Sequence, residues 1–507
     1  MPKHLTTLLF AILLPLCLNA QPSYEYPATV RERVRLADMG NNIQKFEEGQ
    51  RLTLLGEELK RSAAYPGSPF RVKAGEGLYL ASQKDLSALE FETEALSLDG
   101  LWRLHYLQST AVEAFERHGW DFELRRELDE EYERFYQSLE PHHDPFLSDY
   151  LNRLLQKAAP QNLPSRHPAI LRTVLFKDHE PAALSCADGR IFLSTGLLST
   201  LQHEDELIAI LANEIAHIYF DHAISNFRAI EQKEARAAFW AGLATLAAAT
   251  VETWAATESI RNGTFTPIDF LAFGNFTGSV SFLSNTIAAA VVSRLGMEYT
   301  PPQRTEADNA TLSVLNKLNL PEDALHRALL RIHEHHQARE GLPNSGSEQL
   351  FPALLPRINS LQPNGSSKAI PPPQPYFVQQ TALARTLTAW AHFHQGQYGI
   401  ARQLLALQQE ARAMTCEDYL LFSALARHTT AETDGLQQAL NMLQEAEQLF
   451  PLLPAELFLE KALLHQRLGS QENLKSALTA YYRALQETGR PGSSEKIWWA
   501  EQWLNRL

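Results

Sequence analysis

The stretch His203-Glu-Asp-Glu-Leu-Ile-Ala-Ile-Leu-Ala-Asn-Glu-Ile-Ala-His217 constrains this chain more than any other. Leu207, Ile208, Leu211, Ile215, Ile218 and Tyr219 recur at helical spacing, which predicts one long helix over residues 205–228. Residues four apart share a helix face, so Asn213 and His217 project together. In an H-E-x-x-H helix, two histidines at that spacing bind zinc and the intervening Glu acts as general base. Here the base position Glu214 and the second histidine His217 stand, and the first histidine is Asn213. A bare N-E-x-x-H also arises by chance on a structural helix, so its surroundings decide its meaning.

Those surroundings change character at Asp144. Asp144-Pro-Phe-Leu through Leu155 reads as a helix with Pro in its first turn. Residues 171–176 and 183–186 read as strands, Ala187-Asp-Gly189 as a turn, residues 190–194 as a third strand, and Gly196-Leu-Leu198 as the opening of a helix. Small sheet, helix and motif helix follow in that order.

With Gly189-Arg-Ile-Phe-Leu-Ser-Thr-Gly-Leu-Leu198, Asp205-Glu-Leu and the motif helix together, the chain resembles the CAAX-prenyl-protease and HtpX superfamily of zinc metallopeptidases over residues 144–360. The architecture is most similar to its periplasmic BepA-like branch, which adds a signal peptide and C-terminal tetratricopeptide (TPR) repeats and works in outer-membrane protein assembly. The resemblance implies a third ligand, a Glu preceding the Asp of an E-x-x-A-D element. The matching stretch is Arg304-Thr-Glu306-Ala-Asp308, with Arg304 at the ligand position. It also implies a His over the metal, followed by Arg-Ile; Phe351 stands at that His, ahead of Arg357-Ile358. A cation cannot ligate Zn²⁺ and repels it. Without two of three ligands, Glu214 has no metal-bound water to deprotonate. The arrangement predicts an Arg304–Glu214 ion pair, or its near variant with Glu306. Ligands could also come from elsewhere: His222 lies five residues on from His217, toward another face, and His333, His335 and His336 cluster on a helix. A solvated face is the plainer reading of that cluster.

The rest of the chain sets the context. Residues 1–20 have the short polar start, apolar run and small residue of a signal peptide cleaved before Gln21. An uncleaved anchor and a lipoprotein acylated at Cys17 are the alternatives. Residues 21–143 read as a polar, mostly helical region, amphipathic from Trp102 to Leu139. The apolar stretches 237–251 and 267–293 read as buried core helices, with contact to a membrane surface or a client as the alternative. Residues 361–376, with three consecutive prolines, form a linker. Beyond it, residues 377–507 repeat a TPR grammar loosely (Trp390, Gly396, Tyr398, Ala401), giving two to three degenerate hairpins or a generic helical bundle. Cys186 and Cys416 read as free, buried thiols. A formal net charge of −14, with no long Lys/Arg run, excludes a nucleic-acid partner.

The expected fold is therefore mainly α with a small β-sheet: an α+β zincin-like peptidase domain followed by an all-α TPR-like helical repeat domain. The expected function is that of a periplasmic pseudopeptidase. It needs no cofactor and binds protein clients or envelope-assembly partners in outer-membrane assembly or quality control. One alternative is an active zinc metalloendopeptidase with an atypical site, using Glu214 as base and His217 as ligand. Another is a repeat adaptor on an inert peptidase-like scaffold.

Overall fold

The computed structural model describes residues 24–56, 70–112, 122–161, 170–229, 299–338, 354–362, 371–430, 432–488 and 493–507. The expected signal peptide, the apolar stretches of residues 237–293 and Phe351 lie outside the described residues.

The N-terminal part corrects the helical reading of residues 21–143. Seven strands come first: β1 (Tyr24–Val30), β2 (Val34–Asp38), β3 (Ile43–Phe46), β4 (Arg51–Gly56), β5 (Phe70–Ala74), β6 (Gly77–Ala81) and β7 (Leu89–Phe91). They pair antiparallel in the order β3-β2-β6-β5-β4-β1-β7. The physical reason is a period of two. Tyr26, Ala28 and Val30 in β1, and Leu52 and Leu54 in β4, are buried, while their neighbours face outward. The strands are short and their outward positions include Pro27, Thr29, Thr53 and Leu55, so the alternation is weak beside the helical pattern that follows. Gly49 and Gly75, at φ 82° and 57°, make the turns into β4 and β6, where an L side chain would be strained. Helix α1 (Gln83–Leu86) separates β6 from β7. The amphipathic stretch from Trp102 onward is helical as expected, in α2 (Leu98–Gln108) and α3 (Phe122–Ser138).

The central part follows the sequence closely. In α4 (Pro145–Ala158) the Asp144 side chain caps the helix by accepting from the Leu147 amide at 3.0 Å, with Pro145 in the first turn. Strands β8 (Arg172–Phe176), β9 (Ala183–Ser185) and β10 (Arg190–Ser194) form a three-stranded sheet, β10 lying between a parallel β8 and an antiparallel β9. Then come α5 (Thr195–Thr200), α6 (Glu204–Tyr219), α7 (His222–Ala229), α8 (Pro301–Lys317), α9 (Ala324–Gln337) and α10 (Leu354–Ser360). Helix α6 is the centre of the domain; α4, α8 and α9 pack around it and most of its side chains are buried. One hydrophobic cluster runs from Tyr26 through α6 to Ala384, so the N-terminal sheet and the peptidase-like part share a core. The Trp102 indole seals the join by donating to the Ala158 carbonyl at 2.9 Å.

The long helix expected over residues 205–228 is broken. It ends at Tyr219, Asp221 takes a left-handed φ of 53°, and α7 departs at 49°. Arg125 of α3 holds the Asp221 carboxylate at 2.5 Å.

Past the linker, α11 (Pro375–Gln380) still belongs to the first core through Phe377. Gln374 fastens the chain to the start of α6: its amide donates to the Gln202 carbonyl and its side-chain oxygen accepts from the Glu204 amide, both at 3.0 Å. Three helical hairpins follow: α12 (Ala382–His394) with α13 (Tyr398–Glu410), α14 (Cys416–Thr429) with α15 (Thr433–Leu449), and α16 (Ala455–Arg467) with α17 (Gln471–Thr488). Helix α18 (Ser493–Leu504) packs on α17. These helices share a second core, separate from the first. Cys186 and Cys416 are free and buried, one in each part.

Candidate functional site

The motif residues converge where α6, α8, α10 and β9 meet. Asn213 is buried and its amide is held at both ends. The amide nitrogen donates to Asp308 Oδ1 at 3.0 Å and to Thr311 Oγ1 at 3.2 Å. The amide oxygen accepts from an Arg357 guanidinium nitrogen at 3.0 Å. Arg357 also forks onto Asp308, with Nε 3.1–3.2 Å from the carboxylate oxygens and a terminal nitrogen at 2.5 Å. An amide offers both donors and an acceptor, and here each finds its partner. Asn213 is thus a fitted component of the site.

Glu214 faces β9. Burial pushes its carboxyl above the usual range, and the nearby polar groups of Ser185, together with Arg357, partly oppose this. Ser185, Cys186, His217, Ile218, Asp221 and Ile224 line a crevice between β9 and the α6–α7 corner that is too tight to admit a water molecule.

His217 is buried, and Tyr299 stacks on its ring with centroids 3.8 Å apart and planes 10° from parallel. Its Nδ1 lies 2.8 Å from His222 Nδ1, and His222 Nε2 lies 3.1 Å from Glu306 Oε2. An ionised carboxylate only accepts, so His222 carries its proton on Nε2 and accepts from His217 Nδ1–H. Glu306 also accepts from the Thr110 amide at 3.0 Å and from its hydroxyl at 3.1 Å. A chain therefore runs from Thr110 beyond α2 through Glu306 and His222 to His217. Burial holds His217 well below the ordinary histidine range, and His222, Arg357 and Arg304 add to the effect.

Arg304 departs from expectation. It is partly buried and makes no ion pair with Glu214 or Glu306 among the described residues. Helix geometry gives the reason. Glu306, two residues on, points roughly 200° away, toward His222 and Thr110. Glu214 is turned to Ser185, and Asp308, one turn along from Arg304, is already engaged by Arg357. Burial and repulsion from Arg357 lower the Arg304 pKa, with attraction from Asp308 opposing.

Asn213, Glu214, His217, Arg304 and Asp308 thus lie in one region of the structure. His222 comes with them although its offset on a straight helix points elsewhere; the left-handed residue at Asp221 brings it back. The break at Asp221 leaves no mark in the hydrophobic spacing, so that spacing could not announce it. Thr110 and Tyr299 carried no signal at all. His333, His335 and His336 do not join the site; His335 and His336 face α5 and Glu180 instead.

The donor set does not fit a zinc ion. At the first ligand position the Asn213 oxygen is taken by a guanidinium, and a second cation stands at the third. Among the described residues no three His, Cys, Asp or Glu side chains converge on a metal-sized site.

Residues 145–365 match peptidase family M48, a family of zinc-dependent peptidases. No curated protein matches the chain. The matched segment runs from α4 through α10, the part that carries the motif helix and Arg357. It supports a metallopeptidase-type domain there.

Proposed function

We propose that this chain is a pseudopeptidase, an M48-type domain that retains the fold but not the metal and binds protein segments instead of cleaving them. The observation that carries the reading is the Asn213 amide, engaged at both ends by Asp308, Thr311 and Arg357. A ligand position lost by drift would leave a buried polar group poorly satisfied, at a cost of roughly 1–3 kcal/mol; this one is fully bonded. The three helical hairpins fit a TPR-like module that presents a second protein-binding surface. The residue 1–20 pattern supports export to the periplasm, and clients or partners in envelope assembly follow by analogy with the BepA-like branch.

The test is zinc quantification on protein purified without added metal, with casein cleavage measured alongside. The pseudopeptidase reading requires well under one zinc per chain and no cleavage. One tightly held zinc per chain, with cleavage abolished in Glu214→Gln, would establish the active atypical metalloendopeptidase instead.

A further inference from the structure

Away from the motif, a second group of titratable side chains lies at the seam between the peptidase-like part and the helical hairpins. The loop Asp178-His179-Glu180 is buried, with each residue about 1% exposed. It is wedged against α5. The Gly196 amide donates to the Asp178 carbonyl at 2.6 Å, and a Cβ at Gly196 would meet the His179 carbonyl carbon and oxygen at 2.4 Å. Across the seam stands His392 of α12, 0% exposed, with ring centroids 5.3 Å from His179 and 5.2 Å from His335. His336 of α9 lies 3.4 Å from a Glu180 oxygen. On α12 itself, Arg385 donates to the Ser199 and Leu201 carbonyls. It is the nearest cation on that helix, with Glu206 and Arg331 behind it. Four histidines and two carboxylates from three separate elements thus meet in a dry joint.

The hydrogen bonds fix where protons already sit. His392 Nδ1 is 2.5 Å from Gln397 Oε1, an acceptor, so His392 carries its proton on Nδ1. Its Nε2 is then a bare lone pair, fully buried and without a hydrogen-bond partner among the described residues. The Gln395 amide nitrogen, a donor, is 3.0 Å from His179 Nε2, so that nitrogen accepts and the His179 proton is on Nδ1, toward Asp178 Oδ1 at 3.6 Å. The Gln395–His179 bond crosses the seam. With the Gln395 amide in this orientation, the bond requires a bare lone pair on His179 Nε2. A second proton on His179 would set two donors against each other, and Glu180 Oε1, 3.5 Å from the same nitrogen but on the same loop as His179, would take over.

We propose that this seam is an acid-sensitive latch, in which protons taken up at His179 Nε2 and His392 Nε2 release α12 from the peptidase-like domain. The two protons act differently. The first exchanges a bond across the seam for one within the loop. The second puts a cation on His392 facing two other imidazoles, with no carboxylate in hydrogen-bond reach among the described residues. Burial already holds the His392 pKa well below the ordinary range; His179 and His335 add to this, and Gln397 and Glu180 oppose it. A histidine held low in the closed state stabilises that state fully above the free value of about 6.5 and loses the contribution as pH falls below it. Between pH 7.5 and 5.5 the opening equilibrium should rise about tenfold for the one uncompensated histidine, His392.

Amide hydrogen exchange on the full chain at the two pH values, corrected for intrinsic rates, reads this directly. Protection across residues 382–394 should fall at least about tenfold at pH 5.5, while residues 455–488 in the last hairpin hold theirs. His392→Gln should remove most of the acid response. Gln395→Glu offers a carboxylate to protonated His179 across the seam, and should weaken the response or reverse it even if the His392 variant folds poorly. Equal protection of residues 382–394 at both pH values would overturn the latch, as would an undiminished acid response in Gln395→Glu.

Discussion

Arg357 reaches the Asn213 amide oxygen at 3.0 Å, so one guanidinium joins the first ligand position on α6 to Asp308 on α8, on which it also forks. Asp308 and Arg357 both coincide with elements of the metallopeptidase resemblance; Asn213 does not. The frame around the ligand position is kept while the ligand itself is exchanged for a residue that fits the same frame. A carboxylate behind a ligand position is what orients a metal-binding histidine. Here Asp308 orients an amide instead.

The two arginines of the site should therefore behave differently. Arg357→Ala leaves the Asp308 carboxylate and the Asn213 oxygen without their donor in a largely buried place, and should cost about 2–4 kcal/mol in urea unfolding. Arg304→Ala removes a side chain with no ion pair among the described residues, and should cost no more than about 1 kcal/mol. Equal losses for the two would mean that Arg304 contributes a contact of another kind.

Glu214 makes a pH prediction whose sign follows from burial. Its carboxyl is raised in the folded chain, so folding favours the protonated form. That contribution is complete below the unfolded value of about 4.3 and is lost as pH rises through the folded value. Glu214→Gln should then raise the urea midpoint at pH 7.5 and change it little at pH 4. A variant destabilised at neutral pH would show that the charged carboxylate has a partner that stabilises it.

Glu306 should be structural despite its place beside the motif. It accepts from His222 and from both donors of Thr110, linking α8 to the chain just after α2. Glu306→Ala should cost about 1–2 kcal/mol. It should also lower hydrogen-exchange protection at the end of α2 more than in the last hairpin. Uniform loss across the chain would argue against a local tie.

The central domain was legible because its signals are local and strong. The Asp144 cap, the Ala187-Asp-Gly turn and the α6 apolar spacing each specify an element within a few residues. The N-terminal sheet was not, because β4 must find β1 and β5 at a distance before its two-residue alternation means anything. Within the site, residue identity at Asn213 and Arg304 was readable, but partner choice was not. Arg304 was the natural partner for Glu214 by charge alone, and side-chain direction along α8 decided otherwise. The His217–His222 contact depends on one left-handed residue, Asp221, which hydrophobic periodicity does not register.

The reversion experiment tests how much of the metal centre the scaffold still encodes. Asn213→His places an imidazole where Asp308 can accept its one N–H, the arrangement that holds a ligating histidine in register. Arg304→Glu removes a cation that interacts unfavourably with His217 and supplies a carboxylate in its place. His217 is present but bonded through Nδ1 to His222, which leaves Nε2 as the nitrogen able to turn to a metal. Three ligands of the histidine, histidine, carboxylate kind would then be available. Arg357 is the obstacle, since the Asn213 oxygen it bonds disappears and its charge stays close. Equilibrium dialysis of the double variant should show zinc uptake that the parent chain lacks. Each single variant should show little, because two protein ligands at most would face the ion. Uptake should fall below about pH 6, as the imidazoles compete for protons. A double variant that folds and takes up no zinc would locate the loss of the centre in Arg357 or in the backbone rather than in the two exchanged ligands.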